Sequence, residues 1–139
     1  NLSGTLVELL VDAALRSPLD TATRIVPVPL HPERERRRGF NQAAIIVRAI
    51  APKLGLVVDE QSLMRVVASE KYRAGLDSTG RHQTVTDAFV VRLPQLMAQE
   101  TVLLIDDVLT TGATASSCAA ALHRAGAKSV LVLTIARPG

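Results

Sequence analysis

Asp106 and Asp107 stand side by side at the end of an unbroken apolar run, Val102-Leu-Leu-Ile105, and a few residues later comes Thr110-Thr-Gly-Ala-Thr114. Two adjacent carboxylates at the end of a buried strand repel each other and lose solvation, a cost that folding alone does not require. Such a pair can receive hydroxyl donors or a hydrated divalent cation. Small side chains at Gly112 and Ala113 let backbone amides approach an anion closely. A helix N-terminus adds unpaired N–H groups and partial positive charge, and Thr110, Thr111 and Thr114 add hydroxyl donors. An ordinary capped strand-to-helix loop explains one threonine, not three around a Gly-Ala pair. The two segments together outline a ribose 5-phosphate site, with phosphate in the cradle and sugar hydroxyls on the carboxylates.

The elements that must position these groups follow from periodicity. Val102–Ile105 reads as a strand covered on both faces. Thr110–Ala113 reads as a loop, Thr114–Ala125 as a helix closed by Gly126, and Ser129–Ala136 as a further buried strand. Strand, helix and strand in that order form a βαβ unit with parallel pairing, and in an open parallel sheet ligands bind beyond the carboxyl ends of the strands. Upstream, Ser3–Leu15 has the spacing of an amphipathic helix with Ser3 as its cap, and Ser17, Pro18 and Asp20 break it. Arg24–Val28 reads as a strand running into a constrained loop at Pro29. Asn41–Leu54 fits a second helix ended by Gly55. Ser62–Val67 and Phe89–Arg92 read as short strands, and Leu96–Ala98 as a turn or brief helix. Between them Ala68–Asp87 is polar and aperiodic, a length of loop that inside a compact domain is usually functional.

Composition narrows the class. The 139 residues suit one domain spanning 1–139; 47% are hydrophobic but only 2% aromatic, and Trp is absent. The core must therefore be Val, Leu, Ile and Ala, as in a parallel sheet flanked by helices. No apolar run reaches the length of a membrane span and no secretory signal appears, so a cytoplasmic protein is expected. The single cysteine, Cys118, excludes an internal disulfide or a CxxC zinc site and reads as a packing residue. The net charge of +3 is modest, but Arg34, Arg36, Arg37 and Arg38 crowd into one loop. A charge run of this kind is ordinarily solvated; Arg36, Arg37 and Arg38 are candidates for phosphate or nucleic-acid contact. His31 reads as a loop residue near the site, and His82 and His123 as surface residues.

The stretch from Val102 through Thr114 resembles the PRPP-binding signature of type I phosphoribosyltransferases, PRPP being 5-phosphoribosyl-1-pyrophosphate. Val26-Pro-Val-Pro-Leu-His31 and Arg38-Gly-Phe-Asn-Gln42 resemble the ComF subgroup, the competence-associated, amidophosphoribosyltransferase-like proteins. The resemblance implies the type I phosphoribosyltransferase fold, an open parallel sheet flanked by helices, here with a reduced hood. It implies that Asp106 and Asp107 are the catalytic pair, binding the ribose 2- and 3-hydroxyls, and that Thr110, Thr111, Gly112, Ala113 and Thr114 hold the 5-phosphate. Pro29, Leu30 and His31 would form the pyrophosphate loop. Mg²⁺ would be bound mainly through PRPP, with no all-protein cage. Ala68–Asp87 would be the mobile loop closing over the reacting centre, with Lys71, Tyr72 and Arg73 facing the departing pyrophosphate. Within that loop the sequence has Arg73 and Thr84 where the subgroup leads one to expect Gln and Asn.

The activity so implied is transfer of ribose 5-phosphate from PRPP to a nitrogen acceptor with release of pyrophosphate, in a homodimer. The rival expectation is a non-catalytic PRPP- or DNA-binding protein acting in competence and DNA uptake, with single-stranded DNA or a DNA-processing protein as partner. ComF-like proteins also lead one to expect a four-cysteine zinc module ahead of Asn1, in a longer native protein trimmed at this end.

Overall fold

A computed structural model describes residues 3–30, 36–37, 39–66, 88–107 and 112–135. Helix α1 spans Gly4–Ala14, and the Ser3 side chain caps it by accepting from Leu6 N at 3.1 Å. Strand β1 spans Arg24–Pro27, helix α2 Gln42–Leu54 and strand β2 Val57–Val58. Then come β3 (Leu63–Val66), β4 (Ala88–Val91), β5 (Thr101–Asp107), α3 (Gly112–Arg124) and β6 (Ser129–Ile135). Single 3-10 turns occupy Leu19–Thr21 and Pro94–Leu96.

The main sheet has the order β2-β1-β5-β6, and every pairing in it is parallel. The expected parallel α/β architecture is therefore present. Its middle strands are apolar because they are covered on both sides: Val102, Leu103, Leu104 and Ile105 are all fully buried. Alternation divides them between two cores. Leu103 and Ile105 join Ile46, Val47 and Ile50 of α2 and Leu10 and Ala14 of α1, whereas Val102 and Leu104 join Cys118 and Leu122 of α3.

Proline in a strand is tolerated where its missing N–H is not needed. Pro27 shares a side of β1 with Ile25, whose carbonyl accepts from Asp59 N at 3.1 Å. That side faces β2, which has already ended at Val58. Gly55 closes α2 in the left-handed region at φ 66°, and Gly126 does the same after α3 at φ 102°.

The structure moves several boundaries. α3 begins at Gly112 and not at Thr114, so the residues expected as loop, Gly112 and Ala113, belong to its first turn. The 3-10 turn begins at Pro94, two positions before the expected Leu96, because Pro at the first helical position presets φ. β2, a pair of exposed valines, was not anticipated. The expected strands at Ser62–Val67 and Phe89–Arg92 are present as β3 and β4, joined antiparallel with Arg65 opposite Phe89. This two-stranded ribbon lies against α3 through Leu63 and Phe89, which are 4% exposed each.

Candidate PRPP site at the carboxyl edge of the sheet

The carboxyl ends of β1, β2 and β5 converge at one edge, and the chemistry-bearing residues lie there. β5 carries its ladder through both carboxylates, Asp106 opposite Thr134 and Asp107 opposite Ile135. Both are buried, at 3% and 7% exposure. Strand alternation sends them to different faces: Asp106 follows Val102 and Leu104 toward α3, and Asp107 follows Leu103 and Ile105 toward α2. Asp106 acts on Cys118 of α3. Burial first, then the Asp106 carboxylate, push the Cys118 thiol up to about 12, against an opposing pull from the Arg65 guanidinium. Asp106 and Arg65 thus share the α3 side of the site.

Gly112 and Ala113 are exposed and Thr114 is half-buried in the first turn of α3. The helix start provides N–H groups without i−4 partners at the point where the chain has just left Asp107. Thr110 and Thr111, also expected to hold phosphate, lie outside the described residues.

Across the edge, β1 delivers the loop expected to take pyrophosphate. Val28 N donates to Ile105 O at 2.9 Å, and Pro29 and Leu30 follow, half-buried. Asn41 fixes this exit. Its Oδ1 accepts from Ala43 N at 3.0 Å and Ala44 N at 3.4 Å, capping α2, while its Nδ2 donates to Val28 O at 3.2 Å. One side chain thereby sets the start of α2 against the exit of β1, which accounts for an Asn in the Gly-Phe-Asn-Gln segment. His31 lies outside the described residues, as do Arg38 and the expected mobile-loop residues Lys71, Tyr72 and Arg73. Arg36, Arg37 and Phe40 are exposed.

Two cavities flank Pro29. One, of about 300 Å³, lies on the α2 side and is lined by Pro27, Phe40, Asn41, Arg48 and Glu60 among others. The second, of about 270 Å³, lies between Pro29-Leu30 and the ribbon and is lined by Glu60, Leu63, Arg65 and Arg92 among others. Glu60 borders both. It is held by Arg48, whose Nε and Nη2 donate to its two carboxylate oxygens at 2.8 and 2.6 Å. Asp59, beside it, is structural. Burial alone would raise its carboxyl, but hydrogen bonds from the Ser62 hydroxyl and the Gln61 and Ser62 amides outweigh burial and hold it below the ordinary carboxylate value.

Sequence reading missed Arg65, Arg48 and Glu60. Arg48 and Glu60 meet across α2 and the turn after β2, with no local pattern to announce them. Arg65 did leave a signal: it shares the inward face of β3 with buried Leu63, where alternation calls for an apolar residue. Instead its guanidinium lies 5.3 Å above the Phe89 ring.

These features are those of a type I phosphoribosyltransferase domain. The chain belongs to the family whose model is described as uracil phosphoribosyltransferase, which matches residues 1–137. It is similar to the DNA utilization protein YhgH of Salmonella typhimurium (strain LT2), with 34% identity over 136 residues, 98% of this chain and 59% of the relative. It is likewise similar to competence protein F of Haemophilus influenzae, with 31% identity over 130 residues, 91% of this chain and 55% of the relative. The chain thus spans little more than half the length of these relatives, whose names agree with the ComF-like resemblance. Among solved structures, the allosteric regulatory enzyme of purine biosynthesis shares the fold, with a TM-score of 0.58, 21% identity, and coverage of 96% of this chain and 26% of that one. Among the described residues no helix is long and apolar enough to cross a membrane, and no group of three or more His, Cys, Asp and Glu comes together as a metal site.

Proposed function

We propose that this domain binds PRPP and transfers its ribose 5-phosphate to a nitrogen acceptor. The observation carrying this reading is the burial of Asp106 and Asp107 at the carboxyl end of β5, directly ahead of the α3 N-terminus. On this reading the two carboxylates accept the ribose hydroxyls. The first turn of α3, with Gly112, Ala113 and Thr114, receives the 5-phosphate together with Thr110 and Thr111. Pro29, Leu30 and His31 border the pyrophosphate, with Arg36 to Arg38 nearby in sequence.

In the reaction the C1–O bond to pyrophosphate breaks, its electron pair leaving with pyrophosphate. A nitrogen lone pair forms the new bond to C1, and the nitrogen's proton passes to solvent. The protein contributes position and electrostatic stabilisation more than covalent chemistry. Carboxylates are hard oxygen acceptors, so Asp106 and Asp107 would suit a hydrated Mg²⁺ brought mainly by PRPP. The ion would supply charge neutralisation of the leaving pyrophosphate.

A second reading is PRPP or single-stranded DNA binding without turnover. It is favoured by the names of the relatives, which speak of DNA utilization and competence, and by exposed Arg36 and Arg37 close in sequence to Phe40, which lines a cavity. Incubation of the domain with PRPP, Mg²⁺ and a panel of nitrogen acceptors, followed by pyrophosphate assay, separates the readings. Acceptor-dependent pyrophosphate release supports transfer. Absence of release, together with oligonucleotide binding that falls steeply with salt and weakens in Arg36→Gln/Arg37→Gln, supports the second reading.

A further inference from the structure

The carboxyl edge holds one more charged pair, Arg48 of α2 and Glu60 of the turn after β2, and its place bears on how the pyrophosphate end of PRPP is admitted. Resting on the PRPP reading above, we infer that Arg48 is a positioning residue acting through Glu60: it cancels a carboxylate fixed beside the pyrophosphate loop, and without it that loop repels pyrophosphate.

Three observations carry this. The first is location. Glu60 and Pro29 line both cavities, the one of about 300 Å³ on the α2 side and the one of about 270 Å³ toward the ribbon. An anion bordering Pro29 therefore has Glu60 for a neighbour on either side. Spaces of this volume are about 8 Å across, no more than the roughly 8–10 Å over which a charge acts at ordinary ionic strength. The second is that the carboxylate is held in place. Asp59 N donates to Ile25 O at 3.1 Å, and Asp59 Oδ1 accepts from Gln61 N and Ser62 N at 2.9 Å each, so the backbone is tied down on both sides of Glu60. Arg48 fixes the side chain itself, donating from Nε and Nη2 to its two oxygens in the planar fit of guanidinium and carboxylate.

The third is charge balance. Among the described residues lining the α2-side cavity, Arg48 and Glu60 are the only ionisable ones. That wall is neutral while the pair is intact and negative once Arg48 is gone. Toward the ribbon, Glu60 is again the only acidic residue among the described lining. The Glu60 side chain is 26% exposed against 64% for Arg48, so water screens the carboxylate less than the guanidinium that covers it. An uncancelled carboxylate there opposes the several negative charges of a pyrophosphate group. A pair that only tied α2 to the turn would make its two members equivalent. Here they are opposed, since losing the arginine uncovers a charge and losing the glutamate removes it.

A double-mutant cycle tests this. PRPP, and ribose 5-phosphate as the ligand lacking pyrophosphate, are each titrated with Mg²⁺ by calorimetry into the wild-type domain, Arg48→Gln, Glu60→Gln and Arg48→Gln/Glu60→Gln. Urea unfolding of each variant is the control for folding. At low salt Arg48→Gln should weaken PRPP binding about tenfold, and the loss should shrink as salt is raised. Glu60→Gln should bind PRPP at least as tightly as the wild type, and the double variant should return to within about twofold of it. Arg48→Gln should leave the affinity for ribose 5-phosphate within about twofold, because that ligand carries no pyrophosphate for Glu60 to repel. Unchanged PRPP affinity in Arg48→Gln, an equal loss for both ligands, a double variant as weak as Arg48→Gln, or a weakened Glu60→Gln overturns the inference while PRPP binding stands. Failure of the wild-type domain to bind PRPP removes the underlying reading and this one with it.

Discussion

The two ends of β5 carry polar groups of the same kinds and use them differently. At its start, Glu100 and Thr101 are stitched sideways to the beginning of β1. Thr23 Oγ1 donates to Glu100 Oε1 at 2.9 Å and accepts from Thr101 N at 3.0 Å, Thr23 N donates to Thr101 O at 2.8 Å, and Arg24 Nε stands 3.6 Å from Glu100 Oε1. Each of these contacts is accounted for by holding one strand against the next. At its other end, Asp106 and Asp107 are nearly inaccessible, yet their backbone ladder to Thr134 and Ile135 would form with any side chain. Sinking carboxylates there costs solvation that strand pairing does not recover. The amino edge of the sheet is built for cohesion, whereas the charge buried at the carboxyl edge is given a use by the proposed PRPP site.

Substitutions along this axis should separate the two roles. The largest loss of stability belongs to the shared middle: Leu104→Ala, at a fully buried position, should cost about 2–5 kcal/mol in urea unfolding. A loss below about 1 kcal/mol would contradict the packing described. Asn41→Ala, at the carboxyl edge, should cost about 1–2 kcal/mol through the lost α2 cap. Because Asn41 also holds the exit of β1, the same change should weaken PRPP binding. Thr23→Val, at the amino edge, should cost roughly 1 kcal/mol and leave PRPP affinity unchanged; altered affinity would erase the distinction between the edges.

The smallest effect concerns Cys118, between the two. Its folded pKa, raised to about 12 by burial and Asp106, means that the folded chain favours the protonated thiol. That contribution is complete below the unfolded thiol's pKa and is lost as pH rises toward 12. Iodoacetamide at pH 8 should therefore leave Cys118 unlabelled in the native domain and label it after denaturation. Rapid native labelling would contradict its burial.

Much of this was legible in the residues. β5, α3 and β6 declare themselves because strands buried on both faces need unbroken apolar runs, and α2 is bracketed by an Asn cap and a left-handed Gly. β2 was not legible, since Val57 and Val58 are too few for a period and both are exposed. The start of α3 was misplaced because Thr114 looks like a cap, whereas the helix already includes Gly112 and Ala113. β3 and β4 could each be read, but not their antiparallel register, because no tight-turn chemistry adjoins either strand. The place of Arg65 over the Phe89 ring depends on that register. The residues expected to hold phosphate stand out in the sequence because they are consecutive; the second cavity does not, because its walls come from the exit of β1, the turn after β2 and the ribbon.

The most direct test of the central claim is thermal unfolding with and without PRPP plus Mg²⁺, for the wild-type domain and for Asp106→Asn/Asp107→Asn. At one hundred times its dissociation constant, PRPP should stabilise the wild type by about 2.7 kcal/mol, seen as an upward shift in Tm. The double variant should fold and show no shift. An unshifted, well-folded wild type, or an equal shift in the double variant, would contradict a PRPP site built on the carboxyl end of β5.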